Sequence, residues 1–423
     1  ALVITIIVLI ILASITIGAI SGDNGILKNA GKAKEDTQTA EEKEAIEIAS
    51  YSVIADKDVS STDLQIELGN NGFNTTVTDN EDGTLNIFFE DTKNNYKIED
   101  GIVSETVLTK QNMNLKKGTI QTIDIQTNKI IKEEKVPILK TKASISNSAT
   151  EVYFIDCGKN DPQQYLKDTY GIEEANIQNI AYDDNCLPVY KGNVGTVYYI
   201  VSQGNTYLNN EENGGGYRLF GAQVKLAAKK NLKKIDLTNL NTKYAVNMEE
   251  MFRFAGCDAE NTGEYLEIIY GPNFDTSNVE TMGYMYAQVG MKQIILPEKF
   301  NTKNVNNMQN MFFGQHIESP VEVIDLGENF DTSNVTNMGY MFLACGTNSL
   351  ETLNLGGKFK IANGINIGFM FAGCGTNTLK EIIYEDTMEN FRINCSKLIP
   401  LINDNEYTNG KPVIKCTDGN YEY

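Results

Sequence analysis

Seven cysteines and one histidine are the side chains of this chain best suited to nucleophilic, redox or metal chemistry, and their spacing favours none of the three. The cysteines are Cys157, Cys186, Cys257, Cys345, Cys374, Cys395 and Cys416, and no two form the C-x-x-C that thioredoxin-type redox sites and c-type haem attachment need. His316 stands in Gln315-His316-Ile317 with no cysteine or aspartate beside it, although histidine is the usual general base and metal ligand. No phosphate-cradling loop, dinucleotide fingerprint, H-E-x-x-H or G-x-S-x-G occurs. Carboxylates are plentiful enough to supply a glycosidase pair, but 56 acids scattered through a chain of pI near 4.6 read more simply as a solvated surface. The acidic run Asp79-Asn80-Glu81-Asp82-Gly83 lacks the spaced ligands and terminal glutamate of an EF-hand and reads as a plain turn. The expectation is a protein that is not an enzyme and uses no cofactor or metal. A net charge of −20 also excludes nucleic acid as partner, since that needs a basic face.

The cysteines take on another meaning if the chain is exported, because export permits disulfides. Cys157 with Cys186, and Cys395 with Cys416, are close enough in sequence to be local staples, and the odd count leaves one thiol over. Export is suggested by the first twenty residues, which carry no charge. Ala1, Leu2, Val3, Ile4, Ile6, Ile7, Val8, Leu9, Ile10, Ile11, Leu12, Ala13, Ile15, Ile17 and Ile20 form a run that, as a helix, matches the roughly 30 Å of a bilayer core. It begins with Ala and has no basic n-region, so it reads as a retained helix exposed by removal of a leader. Gly22 and Gly25 break it near 21–25, and Ile26 to about Ala55 then reads as a second helical stretch, with Ala45, Ile46, Ala49 and Val53 as its apolar stripe.

A greasy half followed by an amphipathic half resembles the N-terminal helix of type IV pilins, and ALVITIIVLIILA resembles the pilin-like proteins of Gram-positive bacteria. That resemblance implies helices bundled in a filament core, with a small α+β domain outside. The first acid here is Asp23, so the early glutamate usual in pilins is missing, and packing at Ala13, Ser14 and Gly18 would have to serve instead.

Downstream, residues 56–107 read as a short helix from Ser60 to Asn71 and a small antiparallel sheet, with strands at Thr84–Phe89 and Asn95–Ile98. Residues 108–142 read as a linking hairpin, and 143–231 as an intermediate α/β or β capping domain. From 232 to 385 an apolar pattern Φ-x-x-Φ-x-Φ recurs six times, centred on Ile235, Ile268, Ile294, Ile324, Leu353 and Ile382, at steps of 26 to 33 residues. A second block follows: Phe274-Asp-Thr-Ser-Asn-Val279 with Met282 and Met285, recurring at Phe300 with Met308 and Met311, and at Phe330 with Met338 and Met341. The i, i+3 methionines predict a short helix, and Asn278, Asn304 and Asn334 are expected to bond backbone. Cys345 and Cys374 fall at equivalent places and read as buried thiols.

The phrase FDTSNVTNMGYMFLACG resembles the BspA-like leucine-rich repeats of bacterial surface proteins, which implies an exposed solenoid for adhesion or protein contact. Its outward strand positions, the interaction candidates, would be Asp236, Ile269, Ile295, Asp325, Asn354 and Ile383, with Ile269 and Ile295 making an apolar spot on adjacent turns. Residues 386–423 would cap the last turn. The fold class expected is α+β: residues 1–55 a long apolar helix, then a small antiparallel sheet, an intermediate domain and a leucine-rich-repeat solenoid. The function expected is that of an extracellular, cell-surface filament subunit that polymerises with itself, passes through the membrane before assembly and displays the repeats to host or surface proteins. The alternatives are a membrane-anchored monomeric adhesin and a minor pseudopilin of a secretion or DNA-uptake machine.

Overall fold

Short alternations of apolar and polar residues, punctuated by Gly, Asn and Asp, give strands of two to six residues along the chain. The computed structural model describes residues 42, 45–46, 61–79, 85–90, 95–99, 102–105, 109–124, 129–140, 145–211, 215–314 and 320–421. The apolar run Ala1–Ile20, most of the second helical stretch, the turn after Asp79 and His316 lie outside these residues. The chain divides into two units, Ala1–Lys110 with Asp124–Lys129, and Gln111–Ile123 with Ile130–Tyr423.

In the first unit, helix α1 (Ser61–Asn70) sets Leu64 and Leu68, one turn apart, on a single face. They bury against a four-stranded antiparallel meander: β1 (Thr75–Asp79), β2 (Leu85–Phe89), β3 (Asn95–Glu99) and β4 (Ile102–Glu105). Ile46, Val77, Leu85, Ile87, Phe89 and Tyr96 complete that core, and the Tyr96 hydroxyl donates to Glu42 at 2.7 Å.

The second unit begins with the sheet β5-β6-β7 (Thr109–Asn114, Thr119–Asp124 and Ile130–Lys135), followed by β8 (Ile138–Leu139) and β9 (Glu151–Asp156). Gly118, at φ 63°, turns the chain between β5 and β6, and a Cβ there would stand 2.6 Å from the Cys186 backbone nitrogen, so only glycine fits. Helix α2 (Pro162–Tyr170) is started by Asp161, which accepts from the Gln164 N–H at 2.8 Å, and stopped by left-handed Gly171. Then come β10 (Gln178–Asn179), β11 (Val189–Val194), β12 (Val197–Ser202), β13 (Thr206–Leu208), β14 (Lys234–Leu237), β15 (Leu240–Asn241), helix α3 (Ala259–Thr262) and β16 (Glu267–Tyr270). One six-stranded sheet runs β10-β11-β12-β9-β14-β16, and β15-β13-β8 form a small parallel one.

The last sheet collects β17 (Gln293–Ile295), β18 (Val323–Asp325), β19 (Thr352–Asn354) and β20 (Glu381–Ile383) in parallel file. Helices α4 (Met388–Cys395) and α5 (Leu398–Asn403) follow, and β21 (Val413–Cys416) and β22 (Gly419–Tyr421) finish this sheet. Opposite these strands, single parallel bridges join Asn247, Thr281, Asn307, Asn337 and Asn366. Between the strands and the bridges lies one hydrophobic core of Ile, Leu, Val, Met and Phe, with Met248, Met251, Met282, Met285, Met308, Met311, Met338, Met341 and Met370 all fully buried.

The α+β expectation is therefore corrected: the described residues are mainly β, and the longest helix among them has 10 residues. None of these helices is long and apolar enough to cross a membrane. The leucine-rich-repeat solenoid is corrected as well. The strands do not continue in one ladder, because β16 ends one sheet and β17 starts another. Nor do the methionine blocks form helices. Tyr284, Asn310 and Tyr340, each just before a second Met, and Phe369, just before Met370, sit at φ 53–61° in the left-handed region. Alternate N–H groups of the block cross to the next tier, from Met282 to Asn307 O, Tyr284 to Gln309 O and Tyr286 to Met311 O, at 2.9–3.0 Å. Those donors would serve a helix internally; here they hold tier to tier.

Candidate interaction face

Strands β17–β20 point alternate residues into the core, and their other face carries no covering layer of strands or helices among the described residues. Ile295, Asp325, Asn354, Ile383 and Lys415 are aligned across it by register, beside a second column of Gln293, Val323, Thr352, Glu381 and Val413. Exposed ion pairs Lys292–Glu322 and Lys380–Glu351, both at 2.7 Å, flank the columns, and Lys415–Glu381 joins one column to the other.

The six predicted face residues separate into two chemical groups. Asp236, Asp325 and Asn354 each accept the backbone N–H two residues on, from Thr238, Gly327 and Gly356, at 2.9–3.0 Å. Asn354 also donates to Asp325 at 3.1 Å and to Glu385 at 2.7 Å and is 8% exposed. These three side chains close the turns that end their strands. Ile269, Ile295 and Ile383 are left as the apolar contacts. Ile269 and Ile295, expected together, stand in different sheets on β16 and β17. Ile295 is the open one, 53% exposed at the edge of its sheet, and Ile269 is half-buried. In the tier of β16 the first inward residue is Leu266 rather than Tyr265, whose ring instead lies 4.9 Å beneath the Lys292 ammonium.

What makes the face rigid is the repeated phrase Phe-Asp-Thr-Ser-Asn-Val. Buried Thr242, Thr276, Thr302 and Thr332 each donate one tier forward, to Asp275 O, Asn301 O, Asp331 O and Lys360 O at 2.7–2.8 Å. Asn278, Asn304 and Asn334 donate one tier back, to Lys243 O, Ser277 O and Lys303 O at 2.6–2.7 Å, so the expected bonds to backbone are present. Phe274, Phe300, Phe330 and Phe359 stack in one column at 6.4–6.5 Å. Phe220, Phe252, Tyr286, Phe312, Phe342 and Phe371 stack in another at 5.0–5.7 Å.

Six of the seven cysteines are buried. All seven cysteines are free thiols. Cys157 and Cys186, expected as a staple, belong to different hydrophobic clusters, and Cys395 donates to Phe359 O at 3.2 Å rather than bonding Cys416. Burial pushes the Cys345 and Cys395 thiols up to about 12 and Cys374 well above its ordinary value, away from the nucleophilic thiolate. Among the described residues no group of His, Cys, Asp or Glu is placed to hold a metal. One charged cluster escaped the sequence reading: Arg218 donates twice to Glu250 at 2.8 Å, which raises the guanidinium pKa. Arg253 reaches the same carboxylate at 3.4 Å while lying 4.4 Å over the Tyr284 ring.

Residues 225–314 and 261–383 match the family described as Mycoplasma protein of unknown function, DUF285. No curated protein and no solved structure matches the chain. The resemblance to Gram-positive pilins joined to BspA-like leucine-rich repeats is corrected by that match, which takes in nearly all of the repeat region.

Proposed function

We propose that this is a non-catalytic structural protein of the cell surface, whose open sheet face makes protein–protein contact, with copies of itself in an extracellular polymer as first choice. The observation that carries the reading is Ile295, a half-exposed isoleucine on an edge strand, set among Gln293, Asp325 and the Lys292–Glu322 pair. An apolar centre with a polar rim is the usual composition of a contact patch. The latched and stacked body behind it lowers the entropy lost when such a patch binds. The uncharged run Ala1–Ile20 supports attachment to a membrane or to other copies.

Material sheared from producing cells, viewed by negative-stain electron microscopy with mass spectrometry of the pellet, tests the proposal. Fibres composed of this chain are expected, and Ile295→Asp should reduce them while leaving the melting temperature of the soluble body unchanged. Recovery of the chain in the membrane fraction, with no fibre containing it, would turn the reading to an anchored monomer. Fibres indifferent to Ile295→Asp would remove the face from the proposal.

A further inference from the structure

A cleft of about 260 Å³ opens beside the first tiers of the second unit, away from the residues of the sheet face. Tyr207 and Tyr244 wall it, their ring centroids 6.1 Å apart, and Gln111, Lys243, Asn273 and Lys299 reach its rim. The repeat supplies an internal comparison. Asn273 and Lys299 each immediately precede the phenylalanine of their tier, as Asn329 and Lys358 do two tiers further on. In the later pair the Lys358 ammonium donates to the Asn329 side-chain oxygen at 3.1 Å, and Asn329 donates to Glu298 O at 2.9 Å, so both side chains are satisfied. In the earlier pair neither Asn273 nor Lys299 has a side-chain hydrogen bond or ion pair among the described residues.

The tier also departs from its pattern here. Tyr244 stands where later tiers carry the back-bonding asparagine, and its hydroxyl donates to Gln111 Oε1 at 3.2 Å. The Lys243 ammonium donates to the same oxygen at 3.1 Å, so both of these bonds use the Gln111 oxygen and neither uses its amide N–H groups. The lining thus offers two ammonium groups and three amides, those of Gln111, Asn241 and Asn273, as donors, against one carboxylate, Asp275, in a chain whose net charge is −20. Tyrosine rings accept the C–H face of a sugar ring, amides bond hydroxyls, and lysines select a carboxylate.

We infer that this cleft binds a carboxylate-bearing sugar unit of an acidic glycan, with Lys299 and Lys243 holding the carboxylate, Asn273 and Gln111 the hydroxyls, and Tyr207 the ring. The site is separate from the sheet face, and its test does not depend on polymer formation.

The probe is a tetrasaccharide of alternating glucuronate and N-acetylglucosamine, followed by calorimetry and by saturation-transfer NMR on the full chain. The acidic probe is expected to bind, and a tetrasaccharide of N-acetylglucosamine alone to bind at least about tenfold more weakly, as loss of a charged partner implies. Lys299→Ala and Asn273→Ala, both at the surface, should each weaken the acidic probe by about tenfold. Lys358→Ala, which opens the self-satisfied pair, should leave binding unchanged. Absence of binding at millimolar probe, equal binding of the neutral tetrasaccharide, or a Lys299→Ala variant that binds like the parent would each overturn the inference. Circular dichroism of each variant separates loss of the site from loss of the fold.

Discussion

At the scale of single residues, two hydroxyl and amide latches do the same job with different stakes. Thr302 is fully buried and donates to Asp331 O at 2.8 Å, whereas Asn304 is exposed and donates to Ser277 O at 2.6 Å. Removing a donor inside the core leaves a buried carbonyl without its partner and costs about 1–3 kcal/mol, while at the surface water takes over. Thr302→Val should therefore lower stability by about 1–3 kcal/mol and Asn304→Ala by less than about 1 kcal/mol, read as shifts in urea midpoint at constant m-value. An equal loss from both would mean that water reaches Asp331 O.

At the scale of elements, tiers approach as closely as their backbones allow. A Cβ on Gly290 would lie 1.8 Å from Gly256 O, a neighbouring tier's backbone. Gly290→Ala must push those tiers apart and should cost more than about 3 kcal/mol, seen as a large drop in melting temperature or as loss of soluble protein. The start of helix α4 carries a pH dependence of its own. Asp386 accepts from the Asn390 amide at 2.8 Å and from the Thr387 N–H at 2.7 Å, and these two bonds, the first being the larger, hold its carboxyl below the ordinary value. A carboxyl lowered by folding contributes stability that is fully present above its unfolded value, near 4, and is lost as pH falls through the folded one. Below about pH 4 the melting temperature of Asp386→Asn should fall less steeply than that of the parent. Parallel curves would mean that the bonds to Asn390 and Thr387 persist when the carboxyl is protonated.

At the scale of the whole molecule, what could be read in advance follows from how each signal arises. Φ-x-x-Φ-x-Φ with a recurring step is a strand signal, and five of its six occurrences bury the residues it names; Tyr265 yielded to Leu266 because both neighbours are large and apolar. The methionine pairs misled, since a turn whose N–H groups cross to the next tier also brings i and i+3 to one side. Asp325-Leu326-Gly327 and Asn354-Leu355-Gly356 did carry a usable signal: an acid or amide two residues ahead of a left-handed glycine is a turn closure, and that is how these two side chains are used. The division between β16 and β17 has no such trace, and neither does the open pair Asn273 and Lys299, whose difference from Asn329 and Lys358 exists only in three dimensions.

The paired latches have a consequence for how such a gene can change. Each threonine bonds the tier ahead and each asparagine the tier behind, through backbone carbonyls that every tier possesses. A duplication or deletion of one unit of about thirty codons, in register, leaves no latch without an acceptor and no ring column interrupted. The two ends, with Tyr244 and Gln111 at one and α4 with β21 at the other, and the passage from β16 to β17, where one sheet gives way to the next, are particular to their places. Recombination that adds or removes a tier would thus lengthen or shorten the displayed face without a new kind of contact having to arise.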